Sequence, residues 1–133
     1  MFSLTKDLEV GVEAIDAQHR ELIDRINTIT RAGHMAFTKE ETQRTIELLG
    51  KYIIKHFNDE EALQRRVNFP NYDWHKTQHQ YYMNEFKVLK QEFDENGYSA
   101  KFTLTLSKSM IDWLVKHIKS ADAELGKFIK SQK

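Results

Sequence analysis

Six histidines are spread along this chain of 133 residues, and five of them (His19, His56, His75, His79 and His117) fall where helical periodicity places the inside of a bundle. A single buried imidazole is ordinarily a core residue that hydrogen-bonds a neighbouring side chain or carbonyl. Five are harder to explain. If about a third of helical positions face a core, five independent histidines would all do so in roughly one case in a few hundred. Without partners each would cost about 1–3 kcal/mol, against a domain stability of about 5–15 kcal/mol. A shared metal site removes the difficulty.

The spacings indicate how such donors would meet. His75 and His79, in HKTQH, stand four apart and stack on one helix face; His56 and Glu60, in HFNDE, repeat that geometry. His117 and Asp122, in HIKSAD, stand five apart, a step that rotates about 140° on an ideal helix and so takes the two off a common face. The helix is therefore expected to bend or break there, with Ser120 as the N-cap of a restarted segment. The bland alternative for Asp122 is a solvated surface acid.

Five neutral imidazoles and two carboxylates are too many donors for one six-coordinate ion, but they suit two ions that share both carboxylates as bridges. Seven residues then supply nine bonds. Two octahedral ions need twelve; an additional oxygen bridge supplies two, and one position stays open for a ligand. Bridging carboxylates with imidazoles favour iron, while manganese and zinc are also compatible with such donors.

The elements that must position these residues are helices. One proline and five glycines punctuate a charged chain rich in Leu, Ile, Lys and Glu. The first helix is predicted from about Val12 to Ala32 through Ile15, His19, Leu22, Ile26 and Ile29, with Gly33 as its C-terminal cap. Thr38 and Glu41 form a capping box for the second, whose stripe is Ile46, Leu49, Ile53, His56, Glu60 and Leu63. Pro70 suits the first turn of the third, which carries His75, His79, Tyr82, Phe86, Leu89 and Phe93 up to the stop signal Asn96-Gly97. The fourth begins near Ser99, carries Leu106, Met110, Trp113, Leu114 and His117, and continues after an irregularity to Phe128 and Ile129. The expected fold is all-α, an up-down-up-down four-helix bundle with a short N-terminal arm, residues 1–11, and one domain over residues 1–133.

Composition excludes much else. With no cysteine, disulfides, zinc fingers, iron–sulfur clusters and thiol catalysis drop out, and any metal must take nitrogen and oxygen ligands. Twenty basic and twenty acidic residues balance, which gives no footprint for nucleic acid or an anionic membrane. Charged residues interrupt every apolar run well short of the roughly 20 residues that span a bilayer. The first ten residues lack the pattern of a secretory signal, so the expected location is the cytoplasm.

His19, the HxxxE of His56 to Glu60, the HxxxH of His75 to His79 and the HxxxxD of His117 to Asp122 together resemble the hemerythrins. The flanks VGVEAIDAQHREL, NFPNYDWHKTQH and DWLVKHIKSAD extend the likeness to bacterial hemerythrins over nearly the whole chain. The resemblance implies two non-haem irons with an oxo or hydroxo bridge, three histidines (His75, His79, His117) on one and His19 and His56 on the other. It further implies that Glu60 and Asp122 bridge them, and that dioxygen binds reversibly, end-on as a hydroperoxide, at the vacant position of the two-histidine iron. Trp113, Leu114 and Ile118 would line the oxygen pocket; plain core packing is compatible with that role. The arm departs from the family, reading Phe2, Ser3 and Leu4 where many bacterial relatives carry a tryptophan. His34 matches no motif position and reads as a surface imidazole at a helix end.

A five-histidine set differs from the carboxylate-rich Glu-x-x-His pattern of oxygen-activating di-iron bundles, so a carrier or store is favoured over an enzyme. The alternatives are an oxidase or peroxidase, and an oxygen or redox sensor, which would ordinarily need an output domain. Iron storage and nitric oxide scavenging use the same vacancy. The expected partners are dioxygen and an oxygen-consuming enzyme that receives it, with the chain itself a monomer.

Overall fold

The computed structural model describes residues 2–34, 38–97 and 99–132, without the side chains of His34 and Asn96. The expected placement of the His34 imidazole therefore lies outside the described residues. Helix α1 (Glu13–His34), α2 (Lys39–Arg66), α3 (Tyr72–Asn96) and α4 (Ala100–His117) form an up-down-up-down bundle; a π-helical turn (Ile118–Asp122) and α5 (Ala123–Ser131) prolong the fourth helix. No described helix is long and apolar enough to cross a membrane.

The boundaries have local causes. Thr38 accepts a hydrogen bond from the Glu41 amide at 3.0 Å while the Glu41 carboxylate accepts from the Thr38 amide at 3.0 Å, the expected capping box. Ser99 accepts from the Phe102 amide and opens α4. Gly97 ends α3 with φ +81°, a region that favours glycine. Two expectations are corrected. Pro70 lies in the turn before α3, not in its first turn, because Asn71 takes the N-cap position and its carbonyl accepts from His75. Gly33 does not cap α1 but lies inside it, where a Cβ would stand 2.6 Å from Leu104 of α4. Its value is close helix approach.

The apolar stripes meet as the periodicity predicts: Ile15, Leu22, Ile26, Ile29, Ile46, Leu49, Ile53, Tyr82, Phe86, Phe93, Leu106, Met110 and Leu114 are all buried, with Leu63 and Leu89 at the margin. The arm folds back onto this core. Leu8 and Val10 are buried, Asp16 accepts from the Val10 and Gly11 amides at 2.8 and 3.2 Å, and Asn27 donates to the Phe2 carbonyl. Gly126 admits it, since a Cβ there would lie 2.5 Å from the Val10 carbonyl.

Candidate metal centre

All seven residues singled out by type and spacing converge at the middle of the bundle, each at most 3 % exposed. His19 comes from α1, His56 and Glu60 from α2, His75 and His79 from α3, and His117 and Asp122 from the two ends of the π-helical turn. That turn corrects the expected break. The π turn closes i→i+5 hydrogen bonds, so a five-residue step returns to nearly the same face and Asp122 joins His117 without a restart. Ser120 is no N-cap; its hydroxyl is exposed and donates to the Lys116 carbonyl.

The donors fall into two groups. Glu60, His75, His79, His117 and Asp122 can present ligand atoms within 4.8 Å of one another, and so can His19, His56, Glu60 and Asp122. The two carboxylates belong to both. Glu60 turns Oε1 to His75 and His79, at 2.8 and 3.0 Å, and Oε2 to His56 at 3.6 Å. Asp122 turns Oδ1 to His75 and His117, at 2.9 and 3.1 Å, and Oδ2 to His19 at 2.9 Å. Each carboxylate thus divides its oxygens between a three-histidine and a two-histidine side.

Proximity is not pairing here. Neither Asp122 oxygen has an aligned hydrogen-bond donor, and Glu60 Oε2, His56 Nε2 and both His19 nitrogens also lack one. The nitrogens and oxygens are close because they face a common space. Nε2 of His75 and Nε2 of His117 approach to 3.1 Å, two atoms that cannot both keep lone pairs toward each other without a proton or a cation between them. Orphaned donors of this composition, five imidazoles with two shared carboxylates, fit a pair of divalent or trivalent ions of intermediate softness.

The metal-free electrostatics show what a cation would replace. Burial drives the His56 imidazole down to about 4, against the pull of Glu60. At His75 burial also opposes the charge, but Asp122 and Glu60 prevail and raise it to about 9. His19 and His79 are raised as well, burial being outweighed by Asp122 for the first and by Glu60 and Glu61 for the second. Burial and the Asp122 charge work against ionising Glu60, yet His75, His79 and His56 hold it at about 2. Asp122 is lowered too, burial being overcome by His117, His19 and His75. Protons on imidazoles balance the two carboxylates, and cations would displace them.

Outer contacts absent from the sequence reading orient the rings. His56 Nδ1 meets Gln18 Oε1 at 2.6 Å, and the Gln18 amide donates to Asp59, which Lys55 holds at 2.9 Å. His79 Nδ1 meets Glu61 Oε2 at 2.8 Å, and its ring stacks on Phe57 at 3.9 Å and 6°. Trp113, half-buried, stacks on His117 at 4.6 Å and 14° and lies tilted by 35° against Tyr82 at 3.9 Å. Leu114 and Ile118 are buried in the core. Gln18 gave no signal of its own, since its partner lies 38 residues away. A groove of about 330 Å³ between α1 and α2, lined by Ile15, Gln18, Asp59, Glu60 and Leu63 among others, reaches the centre's edge.

This architecture defines a class, the cation-binding four-helix bundle, and the chain belongs to the hemerythrin family: the model of the hemerythrin HHE cation binding domain matches residues 10–129. Among relatives, it is 26% identical over 129 residues to a bacteriohemerythrin of Stenotrophomonas maltophilia, covering 94% of this chain and 79% of that one. It is 29% identical over 124 residues to a bacteriohemerythrin of Pseudomonas paraeruginosa (88% and 74% covered) and 28% over 114 residues to a myohemerythrin of Theromyzon tessulatum (86% and 82%). A crystal structure of wild-type hemerythrin superposes with a TM-score of 0.80 at 22% identity, covering 89% of this chain and 88% of that one, a likeness of fold.

Proposed function

We propose that this chain binds dioxygen reversibly, as a carrier or store and not as an enzyme, at a non-haem di-iron centre held by His19, His56, Glu60, His75, His79, His117 and Asp122. One observation carries the reading: two buried donor groups share Glu60 and Asp122 and differ in their imidazole count, three against two. The family named for a cation-binding domain supports the same assignment. A bound iron pair supplies reversible two-electron exchange with dioxygen, and the two-histidine side, one donor poorer, is where the ligand would enter.

The chain's own residues do the rest. Glu60 and Asp122 hold the two sides at a fixed separation. Gln18 and Glu61 accept the Nδ1 protons of His56 and His79, fixing tautomer and ring plane. Leu114 and Ile118, with Trp113 outside them, form the apolar wall expected to line the pocket and exclude water that would otherwise discharge the bound oxidant. Few anionic donors disfavour high-valent iron, which supports release over oxidation. The recipient is an oxygen-consuming enzyme, and the proposed setting is a cytoplasmic monomer folded as one domain.

An optical titration tests the reading. Protein loaded with ferrous iron without oxygen is exposed to dioxygen and then purged; a charge-transfer band should appear and reverse. Persistent oxygen consumption with a reductant present would replace the carrier by an oxidase.

A further inference from the structure

The buried face of α2 does not end with Glu60. Gln64, one turn further on, is fully buried, and neither its amide oxygen nor its amide nitrogen has a hydrogen-bond partner. A primary amide shut away from water without a partner is a costly group to keep in a core, so its position calls for a function.

The register of α2 against α3 locates what it faces. The helices are antiparallel: Glu61 meets His79 and Glu60 meets His75, so one turn further along α2 lies level with the first turn of α3. Helical side chains lean toward their own N-terminus. Gln64 therefore leans back toward Glu60, and His75 leans toward the start of α3, which brings the amide and the imidazole to one storey of the bundle. Phe69 closes that storey, its amide donating to the Gln64 carbonyl at 2.9 Å and its ring lying edge-on to His75 at 6.2 Å. His75 Nδ1 is itself buried and unpartnered.

An imidazole that binds a metal through Nε2 carries its proton on Nδ1 and needs an acceptor there. His56 has Gln18 and His79 has Glu61. We propose that Gln64 is the corresponding positioning residue for His75, accepting its Nδ1 proton and so setting the tautomer and plane of a ring that touches both bridging carboxylates. The assignment rests on the metal-centre reading above.

The test uses full-length protein loaded with ferrous iron in the absence of oxygen. Proton NMR of that form should show strongly shifted, solvent-exchangeable imidazole N–H signals, one per ligating histidine. In Gln64→Met, which keeps length and volume but offers only a weak thioether acceptor, one of these signals should move or exchange faster while the rest stay. Iron loss to a chelator should quicken by roughly tenfold or more. Gln64→Glu, which supplies a stronger acceptor, should hold iron as the wild type does and shift that same single N–H signal further. Five unchanged signals and unchanged iron loss in Gln64→Met would overturn the role of Gln64 and leave the metal centre standing. Absence of any shifted N–H signal in the wild type would instead overturn the metal reading. If Gln64→Met folds poorly, the same comparison between wild type and Gln64→Glu decides: an identical spectrum and exchange rate despite the stronger acceptor overturns the proposal.

Discussion

At the scale of single residues the metal-free centre is a balance of displaced titrations, and their signs set a pH optimum. His75 holds its proton to about 9 in the fold against an ordinary 6.5, so its stabilisation is complete below about 6.5 and is lost as pH rises toward 9. His56 is depressed to about 4, so its contribution is complete above 6.5 and is lost as pH falls toward 4. The metal-free protein should therefore melt highest near neutrality and lose stability on both sides, while the iron-loaded form, whose imidazoles are held by metal, should vary less. Calorimetry from acid to alkaline pH checks this; a metal-free melting temperature that climbs steadily through the whole range would contradict it. Leu114 carries a second expectation. Replacing it by Ala opens the apolar wall one turn before His117, and the oxygenated protein should lose its spectrum several-fold faster because water reaches the centre. The same change removes core packing worth about 2–5 kcal/mol, so decay should be followed well below the melting temperature. Decay no faster than wild type would leave Leu114 as core filling alone.

At the scale of elements the π-helical turn is the decisive device. Ile118, Ala121 and Asp122 are buried within it and Lys119 and Ser120 are exposed, so the widened turn adds one residue on the solvent side while keeping His117 and Asp122 on the inner face. Inserting one alanine after Lys119 should exceed the single extra residue that the π turn absorbs and swing Asp122 away from its place by about 100°. Helical content should be preserved, yet iron content should drop from two per chain to one or none, because both donor groups lose a shared carboxylate. Lys119→Ala, which keeps the length, should leave two irons. Elemental analysis beside circular dichroism separates the cases, and full iron in the insertion variant would show that Asp122 is dispensable.

At the scale of the whole molecule, a ring of seven buried polar side chains divides the core between the Ile26, Ile29, Leu49 and Phe93 end and the Phe69 and Leu125 end. Removing iron leaves the outer stripes packed but returns the middle to imidazolium–carboxylate contacts, several of them unaligned. On the proposed function iron binds only the folded arrangement, so the loaded form should melt well above the metal-free form, by an amount that grows with the ratio of free metal to its dissociation constant. Amide exchange should slow on loading near His56, His75 and His117 and change little near Ile29 and Phe93. Equal melting temperatures with equal exchange would mean that the histidines satisfy one another without a metal.

The sequence by itself determined the four helices, because apolar residues at three-and-four spacing, the Thr38–Glu41 box and the Gly97 stop act within a few residues of where they stand. It also determined which donors could meet, since HxxxE and HxxxH share a helix face by geometry alone. The five-residue step from His117 to Asp122 showed that an ordinary helix must fail there. Whether it breaks or widens depended on keeping Ile118 and Ala121 buried on either side, which is a matter of packing between helices. Tertiary structure also chose the partners of Gln18 and Glu61, separated from their histidines by 38 and 18 residues. It divided the oxygens of Glu60 and Asp122 between the two sides, and it enclosed Gln64, a polar residue that no local rule marks for burial. Periodicity fixes the face a side chain takes, but contact between faces depends on helix register, which only the assembled core decides.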